Sequence, residues 1–307
     1  MFIYILRRII QTIPVMIGVT LAVFLLMHLI PGDPAQIMAG ENANPEQVEI
    51  MREKLGLNDP LYEQYFRYIA NAVQGDLGTS IRTNRDVTKE IFETRFGITV
   101  QLAVIGTALA VIGGLIAGIV SATRKGSFLD LILMLIALIG FSMPNFLLGI
   151  LLIYLFAVKI GWLPVVGWGS FEHIILPVIT LGTVGAAIIA RMTRSSMLEV
   201  IDQDYIRTAY AKGVNDRLVI YKHALRNALV PVVTVVGLQF GSLLGGAVIT
   251  ETVFAINGLG RLIVDSIRAH DFPMVQGTIL VCAVLFVFVN TLVDITYRFI
   301  NKRIDLN

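Results

Sequence analysis

Six runs of apolar residues set the limits on what this chain can fold into: Ile9–Ile30, Ile98–Val120, Phe128–Val158, Ile174–Ala190, Leu229–Thr250 and Gln276–Tyr297. A helix needs about 20 apolar residues to cross the hydrocarbon core of a bilayer, and each run approaches or exceeds that length. Composition agrees, since only 15% of the 307 residues are charged and mean hydropathy is +0.77, against about 25% charged in soluble domains. The expected fold is all-α, a polytopic membrane protein with six transmembrane helices. The first run is too long for a signal-peptide core, and Pro31-Gly32-Asp33-Pro34 after it offers no small-residue cleavage site, so it is retained as an anchor.

Basic residues orient the spans. Arg7 and Arg8 precede the first run, and Arg298, Lys302 and Arg303 follow the last. The connection between runs two and three carries Arg124 and Lys125, and that between runs four and five carries Arg191, Arg194, Arg207, Lys212, Arg217, Lys222 and Arg226. Positive residues mark cytoplasmic loops, so both termini and both connections are expected in the cytoplasm. The sequence divides accordingly into an N-terminus with the first helix (1–30), an external helical segment (31–95), a five-helix core (96–297) and a cytoplasmic tail (298–307).

The external segment carries helix starts at Asn44-Pro45-Glu46 and Asp59-Pro60, each an N-cap residue before Pro. Gly56 is placed to stop the first helix, and Gly75-Asp76-Leu77-Gly78 breaks the second. Leu61, Tyr65, Ile69 and Val73 fall near one face, which suits a small cap packed against the spans rather than a free domain.

Within the runs, Gly237, Gly241 and Gly245, and Gly114 with Gly118, recur every four residues, a spacing that lets helices approach closely. The third run is longer than one crossing requires and holds Ser142-Met143-Pro144-Asn145 near its middle. An ordinary kinked helix and an irregular segment lining a cavity both fit that pattern. Asn290 and Asp294 in the last run must face protein or water, Asp294 being placed to meet Arg298.

Several chemistries are excluded by spacing. His28, His173, His223 and His270 are scattered without His or Cys partners, so no metal site is expected. Cys282 is the sole cysteine and reads as a buried inert thiol. No Gly-x-Ser-x-Gly elbow, phosphate loop or dinucleotide fingerprint is present. Any ATP used by this chain must be hydrolysed on another.

One stretch reads as soluble helical hairpin amid the apolar runs: "RTAYAKGVNDRLVIYKHALRNALVP", residues 207–231. Asp204 is placed to cap a helix over Tyr205–Lys212, Gly213 to end it, and Asn215 or Asp216 to cap a second helix toward Leu229. A DNA-reading helix-turn-helix needs more core than the loop 191–228 supplies, and no nucleic-acid partner is expected. A basic face that only orients the spans and a finger that docks into a cytoplasmic partner remain.

The stretch resembles the cytoplasmic coupling loop of bacterial ABC importer permeases, whose pattern is Glu-Ala-Ala-x3-Gly-x9-Ile-x-Leu-Pro. Arg207-Thr208-Ala209 occupies its first three positions, Gly213 the Gly, His223 the Ile, Leu225 the Leu and Arg226 the Pro; Ala209, Gly213 and Leu225 match strictly. Flanking text is similar to the first permease of the dipeptide, oligopeptide, glutathione and nickel importers: "ILRRIIQTIP", "HLIPGDPA", "LGLNDPLYEQY", "GDLGTS", "ARMTRSSMLEVIDQDYIRTAYAKG", "HALRNALVPVVTVVGLQFGSLLGGAVITETVF" and "NGLGRL". The external stretch "KIGWLPVVGWGSFEH" looks like that of glutathione and short-peptide members.

That resemblance implies a type I ABC importer permease, a translocation subunit and not itself an enzyme. It implies a second homologous permease, two cytoplasmic ATPase subunits carrying ATP and Mg²⁺, and an external solute-binding protein that delivers short peptides. It assigns coupling to Tyr205, Arg207, Thr208, Ala209, Lys212, Gly213 and Leu225, and docking of the binding protein to the external segment and Glu251–Val275. Ser142, Pro144, Asn145 and Gln239 are candidate pathway residues, being neutral or backbone-freeing groups in apolar runs. A nickel or oligosaccharide permease of the same family, an ATP-independent secondary transporter or channel, and a membrane scaffold are the alternatives.

Overall fold

A computed structural model describes residues 2–29, 33–40 and 43–300; Ile30, Pro31 and Gly32 after the first run, and Lys302 and Arg303 of the tail, lie outside the described residues, as do the side chains of Arg8, Asp294 and Arg298. Among the described residues the chain is helical, with one isolated antiparallel bridge between Thr79 and Asp86. The helices are α1 (Phe2–Leu29), α2 (Pro34–Ala39), α3 (Pro45–Lys54), α4 (Leu61–Val73), α5 (Val87–Thr123), α6 (Phe128–Ser142) and α7 (Asn145–Lys159). They continue with α8 (Phe171–Ile201), α9 (Asp204–Ala211), α10 (Asp216–Val253), α11 (Leu259–Arg268) and α12 (Phe272–Ile300).

The described residues of the six apolar runs are helical apart from a break in the third, but their boundaries and continuity differ from the sequence pattern. Among the described residues four helical stretches are long and apolar enough to cross a membrane: α5, α8, Asp216–Gly241 of α10 and Phe272–Val293 of α12. The α6/α7 pair makes a fifth if taken as one span, and α1 contributes the shorter apolar stretch Ile10–Leu25. The third run is two helices bent by 109°, not one kinked helix. Pro144 is the cause, because its ring drives the preceding residue out of the helical region. Met143 accordingly sits at φ −85°, ψ 125°.

By its internal contacts the chain divides into two units, Met1–Thr99 with Asn257–Phe288, and Val100–Ile256 with Val289–Asn307. In the first, Asn44 and Gln47 close a reciprocal capping box at the start of α3, and Gly56 takes φ +65° just past its end. Asp33 accepts from the Ala35 amide and from the Arg52 guanidinium, which its charge holds protonated to still higher pH. Asp59 does not cap α4; Pro60 holds that position, and Asp59 pairs with Arg67 instead. Of the expected face of α4, Tyr65 and Ile69 are half-buried with Gln64 and Tyr68 beside them, while Leu61 and Val73 at its two ends are exposed. Tyr65, Tyr68 and Gln64 meet α1: the Tyr65 hydroxyl lies 2.9 Å from Thr20 Oγ1, and both tyrosine rings approach Phe24. Burial without a hydrogen-bond partner pushes the Tyr68 phenol well above its usual range.

The core of the first unit joins residues far apart in sequence. Val87 and Ile91 of α5 pack with Leu259, Leu262, Met274 and Val281, and Cys282 lies against the same cluster. Asp271, almost fully buried, accepts from the Ser80 hydroxyl and from the Ile81 amide at 3.2 Å. The segment 77–96 is thereby fixed to α11 and the start of α12.

The second unit is built on α8, which is mostly buried and is packed by α5, α6, α7 and α10. Gly114 and Gly118 permit the α5 contact: a Cβ at Gly114 would lie 2.7 Å from Ile189 Cβ, and one at Gly118 2.5 Å from Thr193 Cβ. On α10, a Cβ at Gly237 would meet Val293 of α12 at 2.1 Å. The close-approach role of these glycines is therefore met at three positions, with a backbone carbonyl of α8 also within 3 Å at both α5 sites.

This packing makes a paired prediction. Gly114→Val forces a branched side chain against Ile189 and the Ala186 carbonyl and is expected to destabilise the protein by about 1–3 kcal/mol. Gly113→Ala, with nothing within 4 Å of the added methyl, is expected to leave the melt unchanged. Thermal unfolding of both variants in detergent checks the contrast.

Candidate functional site

The hairpin between α8 and α10 is specified residue by residue. At the end of α9, the Gly213 amide donates to Tyr210 O at 2.9 Å and the Val214 amide to Ala209 O at 3.2 Å, the paired bonds of a Schellman stop. That motif needs a left-handed residue, and Gly213 supplies it at φ +73°. Asn215 Oδ1 then accepts from the Arg217 amide at 3.0 Å and starts α10. Two expectations are corrected. Asp204 is the first residue of α9 rather than its cap, a position held by Gln203 without a side-chain bond; its carboxylate is fully exposed, 3.7 Å from Arg207. The second helix does not end near Leu229 but continues unbroken as the fifth apolar run.

Beneath the hairpin lies a core of its own. Ile206 packs with Met197 of α8, Val219, Ala224 and Ala228 of α10, and Ala122 of α5. Ala209 and Leu225 are half-buried against it. Tyr205, Arg207, Thr208 and Lys212 stay exposed on the other side. Thr208 Oγ1 donates back to Asp204 O at 2.9 Å, and Asn227 donates to the Tyr205 hydroxyl at 2.8 Å, tying α9 to α10. The structure thus gathers all seven hairpin candidates on one small body with an outward polar and aromatic face.

A second constellation escaped sequence reasoning. Asp130, 4% exposed, receives both Nε and Nη2 of Arg194 at 2.8 Å, the Ser121 hydroxyl, and the Gly126 amide at 3.0 Å. The carboxylate receives donors from the end of α5, from the α5–α6 turn and from α8. Arg194 lies seven residues before Ile201, so the clamp fixes the base from which the hairpin projects. The available signal was an acid two residues inside an apolar run, which has to find a cation.

The pathway candidates separate into two places along α8. Ser142 and Pro144 are exposed at the α6/α7 break, and Asn145 is half-buried with its Oδ1 enclosed and without a hydrogen-bond partner among the described residues. Gln239 is half-buried, its Nε2 3.7 Å from where a Gly185 Cβ would stand. Gly140, just before the break, faces Thr183 of α8.

Comparison with known proteins fits this arrangement. The family described as binding-protein-dependent transport system inner membrane component matches residues 114–306, and its N-terminal companion matches residues 1–103. The chain belongs to this permease family. It is 46% identical over 332 residues to a dipeptide transport system permease protein of Alkalihalophilus pseudofirmus, covering 99% of each chain. It is 48% identical over 301 residues to a glutathione transport system permease protein of Escherichia coli O6:H1, covering 98% of each. An inward-facing MetNI methionine ABC transporter structure shares the fold, with TM-score 0.56 at 23% identity over 67% of this chain and 94% of that one. As an ABC importer permease, the chain is a multi-pass inner-membrane subunit; ATP hydrolysis and solute binding belong to separate components.

The clamp yields a prediction for this permease. Asp130→Asn strands the Arg194 fork in a half-buried site, and breaking such a pair is expected to cost about 2–4 kcal/mol. Arg194→Lys keeps the charge but loses the two-pronged contact and should cost less. Melting of the two variants beside the parent gives the order.

Proposed function

We propose that this permease forms half of the transmembrane pathway for short peptides, dipeptide-like or glutathione-like, delivered by an external binding protein. A second homologous permease supplies the other half, and two ATPase subunits binding ATP and Mg²⁺ drive the cycle. The observation that carries the coupling role is the α9 hairpin, packed on a core that it shares with α5 and α8, stopped at Gly213 and presenting Tyr205, Arg207, Thr208 and Lys212 outward. Docked into an ATPase groove, such a body transmits displacement without deforming. The system is then a two-state equilibrium biased by nucleotide at one end and by the loaded binding protein at the other. Both termini and the hairpin face the cytoplasm, and the external segment 31–95 with Glu251–Val275 offers the docking surface for the binding protein. The orphan Asn145 Oδ1 and the Gln239 amide are neutral groups suited to passing a zwitterionic backbone without holding it.

The coupling role is tested by Gly213→Val. No atom lies within 4 Å of a Cβ there, so the penalty is the backbone strain of a branched residue at positive φ, about 1–2 kcal/mol. Assembly with the ATPase subunits is expected to persist while peptide uptake in proteoliposomes drops severalfold. Normal uptake would remove Gly213 from the coupling path.

Orientation is checked by impermeant maleimide labelling of Lys212→Cys and Gln74→Cys on a Cys282→Ala background. The two exposed positions are expected to react only from opposite faces of the membrane. Cargo is read by competition: with the cognate binding protein present, di- and tripeptides including glutathione should reduce uptake and nickel salts should not. Inhibition by nickel with peptides inert would transfer the chain to a metal-importing branch.

A further inference from the structure

Sequence pattern places Arg191 with the basic residues of the connection between runs four and five; the structure puts its charge elsewhere. It lies on α8, one residue past the fourth apolar run and three before Arg194 of the clamp. α6 and α8 are antiparallel, and two contacts set their register: Asp130 meets Arg194 at 2.8 Å, and a Cβ at Gly140 would stand 2.8 Å from Thr183. The third apolar run begins at Phe128, which this register sets level with Ser195 or Ser196. The Arg191 backbone is therefore about 6–7 Å inside that level, at about 1.5 Å per residue. From such a depth an arginine can reach back to water. This one does not. Its guanidinium carbon lies 4.5 Å from the centre of the Phe141 ring, and Phe141 is level with Thr183, eight residues further into the membrane. Side chains on a helix tilt toward its N-terminus, so on antiparallel helices Arg191 and Phe141 lean toward each other. Closing the gap of about 12 Å between their backbones from both sides puts the guanidinium about 12 Å into a hydrocarbon layer whose half-thickness is about 15 Å.

A full charge at that depth faces a water-filled cavity or the interior of the assembly, not lipid. Arg191 is exposed, and among the described residues it has no hydrogen-bond or ion-pair partner, the Asp130 carboxylate being committed to Arg194. Phe141, 45% exposed, directly precedes Ser142, so the charge stands at the α6/α7 break beside the pathway candidates. Stacking on the ring occupies the face of the guanidinium plane and leaves the N–H donors along its edge unused. That edge is the fork that matches a carboxylate with two parallel bonds. We propose that Arg191, held in place by Phe141, reads the charge of the cargo: it takes the carboxylate of the passing peptide and repels free cations. The proposal rests on the pathway described under the proposed function, to whose neutral groups it adds one fixed charge. Because the site is open to water, the contact is weak enough to release what it takes.

The test uses proteoliposomes holding the full complex, with the second permease, the ATPase subunits and the binding protein, and measures uptake of alanyl-glutamate and alanyl-lysine. The quantity read is the ratio of the two rates within each preparation, so neither the folded fraction nor the selectivity of the binding protein enters its change. Arg191→Gln is expected to lower the glutamate-to-lysine ratio at least about fivefold. Arg191→Lys keeps the charge and should stay near the parent. Phe141→Leu removes the ring that holds the guanidinium inward and should shift the ratio in the same direction as Arg191→Gln, while Phe141→Tyr should not. A ratio unmoved in Arg191→Gln, with the parent importing both peptides, overturns this proposal alone. So does loss of assembly with the second permease at an unmoved ratio, which makes Arg191 a contact between subunits. A parent that imports neither peptide nor any other overturns the peptide pathway, and this proposal with it.

Discussion

A bilayer offers the backbone no hydrogen-bond partner, and the architecture follows from that constraint. Six apolar runs become helix because each peptide group then satisfies its neighbour four residues on. Departures from regular helix sit where protein can absorb them. The Pro144 break lies against α8 with Asn145 enclosed beside it, and the π-helical turn of α10 lies in the hairpin core before the apolar run begins. Lipid cannot drive helices together as water does, so close approach at Gly114, Gly118 and Gly237 supplies the dispersion contacts that hold the second unit.

Polar anchors then locate the working parts on this apolar frame. Asp130 with Arg194 fixes the turn between α5 and α6 to the end of α8. Asp271 with Ser80 fixes the segment after α4 to the start of α12. Each pairs residues from distant parts of the sequence through a buried carboxylate with several donors, an arrangement that tolerates little slack because an unmet acceptor in such a site is costly. The hairpin inherits its placement from the first anchor, and the first unit its cohesion from the second.

Local chemistry was legible in the sequence. Asn44, Gly56, Gly213 and Asn215 act where turn and cap preferences put them, because those preferences are intrinsic to the residue. What failed was everything set by a distant neighbour. Asp59 gave up its cap to meet Arg67, and Tyr68 joined Tyr65 on the packed face of α4 because Phe24 of α1 meets both rings. The 109° bend at Pro144 exceeded a kink, since a proline fixes that regular helix stops but not the angle at which it resumes. Of the candidate site, the hairpin was readable because it is contiguous. The Asp130 clamp was not, its partners being 64 residues apart.

The continuity of α10 has a consequence for how the permease tolerates change. From Asp216 to Val253 there is no break, so the face of α10 that packs under the hairpin through Val219, Ala224 and Ala228 and the face carrying Gln239 share one helical phase. Adding a single residue between them would turn one face against the other by about 100° and slide it by about 1.5 Å. Loops elsewhere in the chain can absorb insertions; this rod cannot. The distance from the hairpin core to Gln239 is therefore a fixed count of residues, as the tooth number of a gear is fixed.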